Sequence, residues 1–194
     1  MNDELPLTLV TNMTRTLRAA VAVTTSPFTG TQQVQDWGGR WWEYEIEFAA
    51  TQTRDGRKLS AFFAALGGAA GTFVLRDPYI DNPTGLGTPL VKGGGQSGST
   101  LLTDGWTGTG LYAGDCFSLG TGADFRLYQM TADAPPTAGN ATLNFVPPLR
   151  SVPADNAALN VTLPGVLLRA TSPIPAQIGL GDIYRFSITA REAI

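Results

Sequence analysis

"WWEYEIEFAA", residues 41–50, decides the fold. Trp42, Tyr44, Ile46 and Phe48 alternate with Glu43, Glu45 and Glu47. Side chains of a β-strand point to opposite faces in turn, so this stretch predicts a strand with one apolar and one acidic face. The chain has only five glutamates, and three of them stand in this row.

Working outward, "SPFTG" (26–30) has turn chemistry, with Pro presetting φ and Gly tolerating positive φ. "QQVQDWGGRWWEYEIEFAATQ" (32–52) reads as two strands around Gly38-Gly39, a predicted hairpin. In "TRDGRKLSAFFAALGG" (53–68), Leu59, Phe62, Phe63 and Leu66 follow the i, i+3, i+4, i+7 pattern of one helix face that must lie on a sheet. Thr53 or Asp55 is placed to cap its start and Gly67 to end it. A strand follows in "GTFVLRDPY", closed by Asp77-Pro78.

Residues 82–100, "NPTGLGTPLVKGGGQSGST", have a loop composition. "KGGGQSGST" lacks the Gly-Lys-Ser/Thr order of a phosphate-binding loop, and no helix follows it. From Leu101 the rhythm changes to short strands at 115–119, 124–130 and 141–145, the spacing of a small barrel or sandwich. Long alternation returns in "IYRFSITAREAI" (183–194), where Tyr184, Phe186 and Ile188 alternate with Arg185, Ser187 and Thr189. These rhythms predict a mainly β chain: a sheet-and-helix domain over 1–95 and 158–194, with a small β module inserted over 100–157.

Composition narrows the function. Charged residues are 15% of the 194, with 23 Gly and 13 Pro, which suits many short strands and turns and a surface that neighbouring subunits cover. A net charge of −3 supplies no bulk basicity to hold a nucleic acid. No apolar run is long enough for a membrane span. "MNDELPLTLV" has no basic region followed by an apolar core, so a secretory signal is not expected. The three sequons, at Asn12, Asn140 and Asn160, are then chance matches.

The chain has no histidine, which removes Ser-His and Cys-His nucleophiles and the usual zinc sites. Cys116, between apolar neighbours, reads as a buried structural thiol. No catalytic residue, cofactor or metal is expected. Carboxylates at Glu43, Glu45 and Glu47 lie roughly 7 Å apart along a strand, too far to share an ion unaided.

Two readings of the glutamate row fit the residues. In one, Arg185 and Arg191 of the last strand sit opposite and pair with it, each exposed pair contributing roughly 0.2–1 kcal/mol. In the other, the row faces an aqueous channel and repels a passing polyanion. Two such carboxylates in water repel each other by only about 0.6 kcal/mol before screening, so a solvated row is tolerable.

The succession "SPFTGTQQVQDWGGRWWEYEIEF", "LSAFFAALGGAAGTFVLRDP", "YAGDCFSLG", "FRLYQM" and "PPLRS" resembles the distal-tail and baseplate-ring proteins of long-tailed bacteriophages, from about Pro27 to the end. The resemblance implies a tail-tube-like β-sandwich or split barrel with one flanking helix, to which the strand rhythm adds the inserted small β-barrel module. It implies a non-enzymatic virion protein, assembled in the bacterial cytoplasm. Such a protein forms a ring, typically hexameric, that joins the tail tube to the host-binding hub. DNA would cross that ring without specific binding during genome ejection, with Glu43, Glu45 and Glu47 facing the lumen. The alternative is a carbohydrate-binding β-sandwich for host attachment, with Trp37, Trp41, Trp42 or Trp106 as stacking platforms.

Overall fold

The structure, a computed structural model, describes residues 3–194, apart from the side chains of Asp3 and Thr53. In chain order, β1 (Asp3–Glu4), β2 (Val10–Thr25), β3 (Gln32–Phe48) and β4 (Thr51–Gln52) precede the helix α1 (Thr53–Ala65). Next come β5 (Phe73–Arg76), β6 (Gly87–Val91), β7 (Thr100–Trp106), β8 (Cys116–Leu119), β9 (Arg126–Met130) and β10 (Ala141–Val146). The chain finishes with β11 (Gly165–Ala170), β12 (Gln177–Gly179), β13 (Ile183–Arg185) and β14 (Ser187–Glu192).

The fold is mainly β and sandwich-like. A six-stranded sheet has the order β1-β5-β11-β14-β3-β2, a five-stranded sheet β6-β7-β10-β9-β8, and a small third sheet β12-β13-β4. The first sheet therefore draws on both ends of the chain, and the second on the segment between. Residues 82–100 are not all loop: β6 pairs antiparallel with β7, because Leu90 and Val91 extend the smaller sheet's ladder. Leu86, Leu159 and Val161 also join that sheet's core around Phe117, Tyr128 and Phe145.

The alternation of the opening stretch sets the main core. Trp42, Tyr44, Ile46 and Phe48 are all buried. Leu59 and Phe63 of α1 and Leu66, its C-cap residue, are buried in the same core, with Phe63 against Phe48 and Phe186 at ring separations of 5.8 and 5.5 Å. Phe62, expected on the same face, is only half-buried at its margin and reaches Phe73 edge-on. Gly67, with φ +63°, ends the helical region as expected. The start differs. Gln52 is the cap residue and makes no side-chain cap bond. Asp55 accepts instead from Lys58 Nζ at 3.0 Å, and the Thr53 side chain lies outside the described residues.

Two strand boundaries depart from the sequence reading. Gly38-Gly39 is a bulge, not a hairpin. Ala19 faces Arg40 and Val21 faces Asp36, so Trp37–Gly39 together oppose Ala20 within a single 17-residue β3. Gly38 supplies the positive φ (+74°), and Asp36 pins the bulge by accepting from Gly38 N–H (2.7 Å) and Arg40 (2.8 Å). The turn that joins β2 to β3 is the Ser26–Gly30 segment, closed by Gly30 N–H to the Ser26 carbonyl. The last strand is also two: β13 pairs with β4 and β12, and after Phe186 β14 joins β3 and β11.

α1 rests closely on β13. A Cβ at Gly56 would come within 2.5 Å of the Tyr184 ring. Gly56→Ala improves intrinsic helix propensity by about 1 kcal/mol. It should nevertheless lower stability by about 1–3 kcal/mol through overpacking, read as a fall in Tm.

No helix among the described residues is long and apolar enough to cross a membrane.

Candidate functional site

The face of the six-stranded sheet opposite the core carries the glutamate row. β14 and β2 flank β3, so Glu47 lies between Ser187 and Asn12, Glu45 between Thr189 and Thr14, and Glu43 between Arg191 and Thr16. The three carboxylates are not equivalent. Glu43 accepts from Trp41 Nε1 (2.9 Å) and from Arg18 Nε (2.7 Å). Arg191, opposite Glu43, lays its guanidinium over the Trp41 ring at 5.1 Å. These contacts, the Trp41 hydrogen bond first and the Arg18 bond next, hold the Glu43 carboxyl below the usual glutamate range.

Glu45 and Glu47 are exposed and form no ion pair among the described residues. Their neighbours are hydroxyls and an amide, not cations. Arg185, expected opposite the row, faces Gln177 in the third sheet instead. In the register of β14 on β3, Phe186 meets Phe48, so Arg185 falls past the end of the row. The row is thus one neutralised carboxylate followed by two solvated ones, on a polar face.

Beyond this face, β2 and β3 continue as a ribbon. β14 pairs only with Glu43–Glu47 of β3, so residues 21–37 are paired with each other alone among the described strands. The ribbon is exposed on both faces, with Phe28 at its tip 95% exposed and Trp37 near its base 64% exposed. The sequence did not single out this arm, since the reading of Gly38-Gly39 as a turn hid it.

The tryptophans do not form a stacking platform together. Trp42 and Trp106 are buried, and their indole N–H groups are satisfied by the Leu127 carbonyl (3.0 Å) and Thr103 Oγ1 (2.7 Å). Trp41 lies beneath Arg191, leaving Trp37 as the one open ring of the four.

On the core side, Arg15 joins Asp77 (2.9 Å) and lies over the Trp42 ring. Asp77 also caps the turn after β5 by accepting from Tyr79 N–H at 2.9 Å. Cys116 is buried, and burial pushes its thiol up to about 11, so it stays protonated and unreactive. Among the described residues no group of three or more His, Cys, Asp or Glu is placed to hold a metal ion.

A third cluster was missed in the sequence. Glu192 is fully buried between Arg150, at 3.3 Å, and Arg126, at 3.9 Å. The available signal was its place in the inward row Ile188, Ala190, Glu192, where a carboxylate requires buried partners.

In comparison with known protein families and curated sequences, the chain matches no family model and no curated protein.

Proposed function

We propose that this chain is a structural ring component of a phage tail tip, joining the tail tube to the host-binding hub and lining the channel through which DNA passes. The carrying observation is the outer face of the six-stranded sheet, where Glu45 and Glu47 stand solvated and unneutralised among polar neighbours. A face of this kind is suited to a water-filled passage: it offers phosphate no cation at that end. The succession of short motifs that resembles distal-tail proteins supports the same reading. Partners in this reading are further copies of the chain, tube and hub proteins, and the location is the virion. The protein is not an enzyme. The sugar-platform alternative is weaker, because Trp37 would have to serve it alone.

Native mass spectrometry and negative-stain imaging test the ring, with six times the 20.5 kDa chain mass expected. A purely monomeric protein across the micromolar range would overturn the reading. The channel role has its own test in the Glu45→Lys, Glu47→Lys double variant, which leaves the Glu43 cluster intact. Its stability should change by no more than about 0.5 kcal/mol, since both sites are exposed. The variant ring should retain duplex DNA at low salt and release it steeply as salt rises, because phosphate contacts release counterions. The unmodified ring should retain none. A stable variant ring that ignores DNA would remove the channel role.

A further inference from the structure

The arm of residues 21–37 deepens the ring reading, on which this inference rests. Val23 lies opposite Val34, and Val21 is two residues from Val23, so the three share one ribbon face. All three are exposed, as are Phe28 and Trp37. A two-stranded ribbon is marginal in water without a third element against it. The same chain carries a second exposed apolar point, Ile178 and Leu180 on the β12–β13 hairpin, where Leu180 is 99% exposed. β13 precedes β14, and β14 runs antiparallel to β3 from Glu47 towards Glu43. The β12–β13 hairpin therefore lies past the Phe48 end of β3, whereas the arm extends from its Gln32 end. Donor and receiver stand at opposite poles of one long strand.

We infer that the arm of one copy docks on the Ile178–Leu180 hairpin of the next, head to tail. Charge is compatible with this apolar contact. Asp36, the one charged residue between 21 and 37, is paired with Arg40 at 2.8 Å. Asp182 beside Leu180 is paired with Arg57 of α1 at 3.1 Å, which also ties the receiving hairpin to the helix. Size decides the form of the assembly. A ribbon face seven residues long and two strands wide covers on the order of 230 Å². One face together with two aromatic rings of roughly 150–250 Å² each comes to about 530–730 Å², below the roughly 800 Å² per partner of a stable pair. An isolated dimer is therefore weak. A closed ring, in which every copy both gives an arm and receives one, doubles the contacts per subunit and is the state that persists.

The test compares the unmodified chain with Val23→Asp, Leu180→Lys and the two combined, by native mass spectrometry over a concentration series. All sites are exposed, so thermal unfolding of the monomer should change little. Each single variant should raise the concentration needed for assembly at least about tenfold, and the combined variant, which sets Asp against Lys at every contact, should recover most of that loss. Dimers should not accumulate at any concentration. Rings that survive either single substitution, or a combined variant that recovers nothing, would overturn the docking while leaving the ring itself standing. An unmodified chain that never assembles would overturn the ring reading as a whole.

Discussion

Glu192→Ala should destabilise the protein by about 3–5 kcal/mol, read as a fall in the urea midpoint, because it leaves buried guanidinium charge without its counter-ion. Glu192 ends β14, and its carboxylate is fully buried. One oxygen accepts from the Trp42 backbone N–H and from Arg150, each at 3.3 Å, and the other faces Arg126 Nε at 3.9 Å. Both arginines follow strands of the smaller sheet or belong to them, and Glu192 belongs to the larger one. The carboxylate is therefore a joint between the two sheets, beside the bond from Trp42 Nε1 to the Leu127 carbonyl. Arg150 is also held by the Arg40 carbonyl, so the loss reaches the base of the arm. Glu192→Gln keeps an acceptor but removes the charge and should fall between alanine and the unmodified chain. A change below about 1 kcal/mol for alanine would mean that water takes the place of the carboxylate.

Phe63→Ala should cost a comparable amount, about 3–5 kcal/mol, since it empties the centre of the helix–sheet contact. Its ring meets Phe48, Phe62 and Phe186 at 5.8, 5.6 and 5.5 Å. Phe62 is its neighbour in sequence and in the apolar pattern, yet only half-buried. Phe62→Ala should therefore cost about 1–2.5 kcal/mol, in proportion to the smaller area it hides. Denaturant unfolding of the two variants side by side measures the difference. Equal losses would show that the margin of the helix is covered in solution, as it would be by a neighbouring copy.

The contrast between these phenylalanines marks where sequence reasoning ends. Periodicity alone determined that Trp42, Tyr44, Ile46 and Phe48 face inward and the glutamates outward, because a pleated strand has no other way to place alternate residues. It determined the helix and its glycine end in the same way, and the Ser26–Gly30 turn through local φ preferences. Each of these is a property of residues within a few positions of one another. What each face meets depends on distant chain. Gly38-Gly39 can make a turn or a bulge, and it became a bulge because the 16-residue β2 offers one continuous ladder to both halves of β3. "IYRFSITARE" keeps one inward row throughout, but its two halves have different neighbours, and the register of β14 on β3 sets Ser187, Thr189 and Arg191 opposite the glutamates and leaves Arg185 beyond their end. Glu43, Glu45 and Glu47 share one face, and local sequence separates them only by Trp41, two residues before Glu43. Arg18 from β2 neutralises the first, which also accepts from Trp41, whereas hydroxyls and an amide flank the other two. Charge compensation is set by whichever side chain the sheet order brings within about 4 Å, and that order is fixed only when strands far apart in the chain have paired.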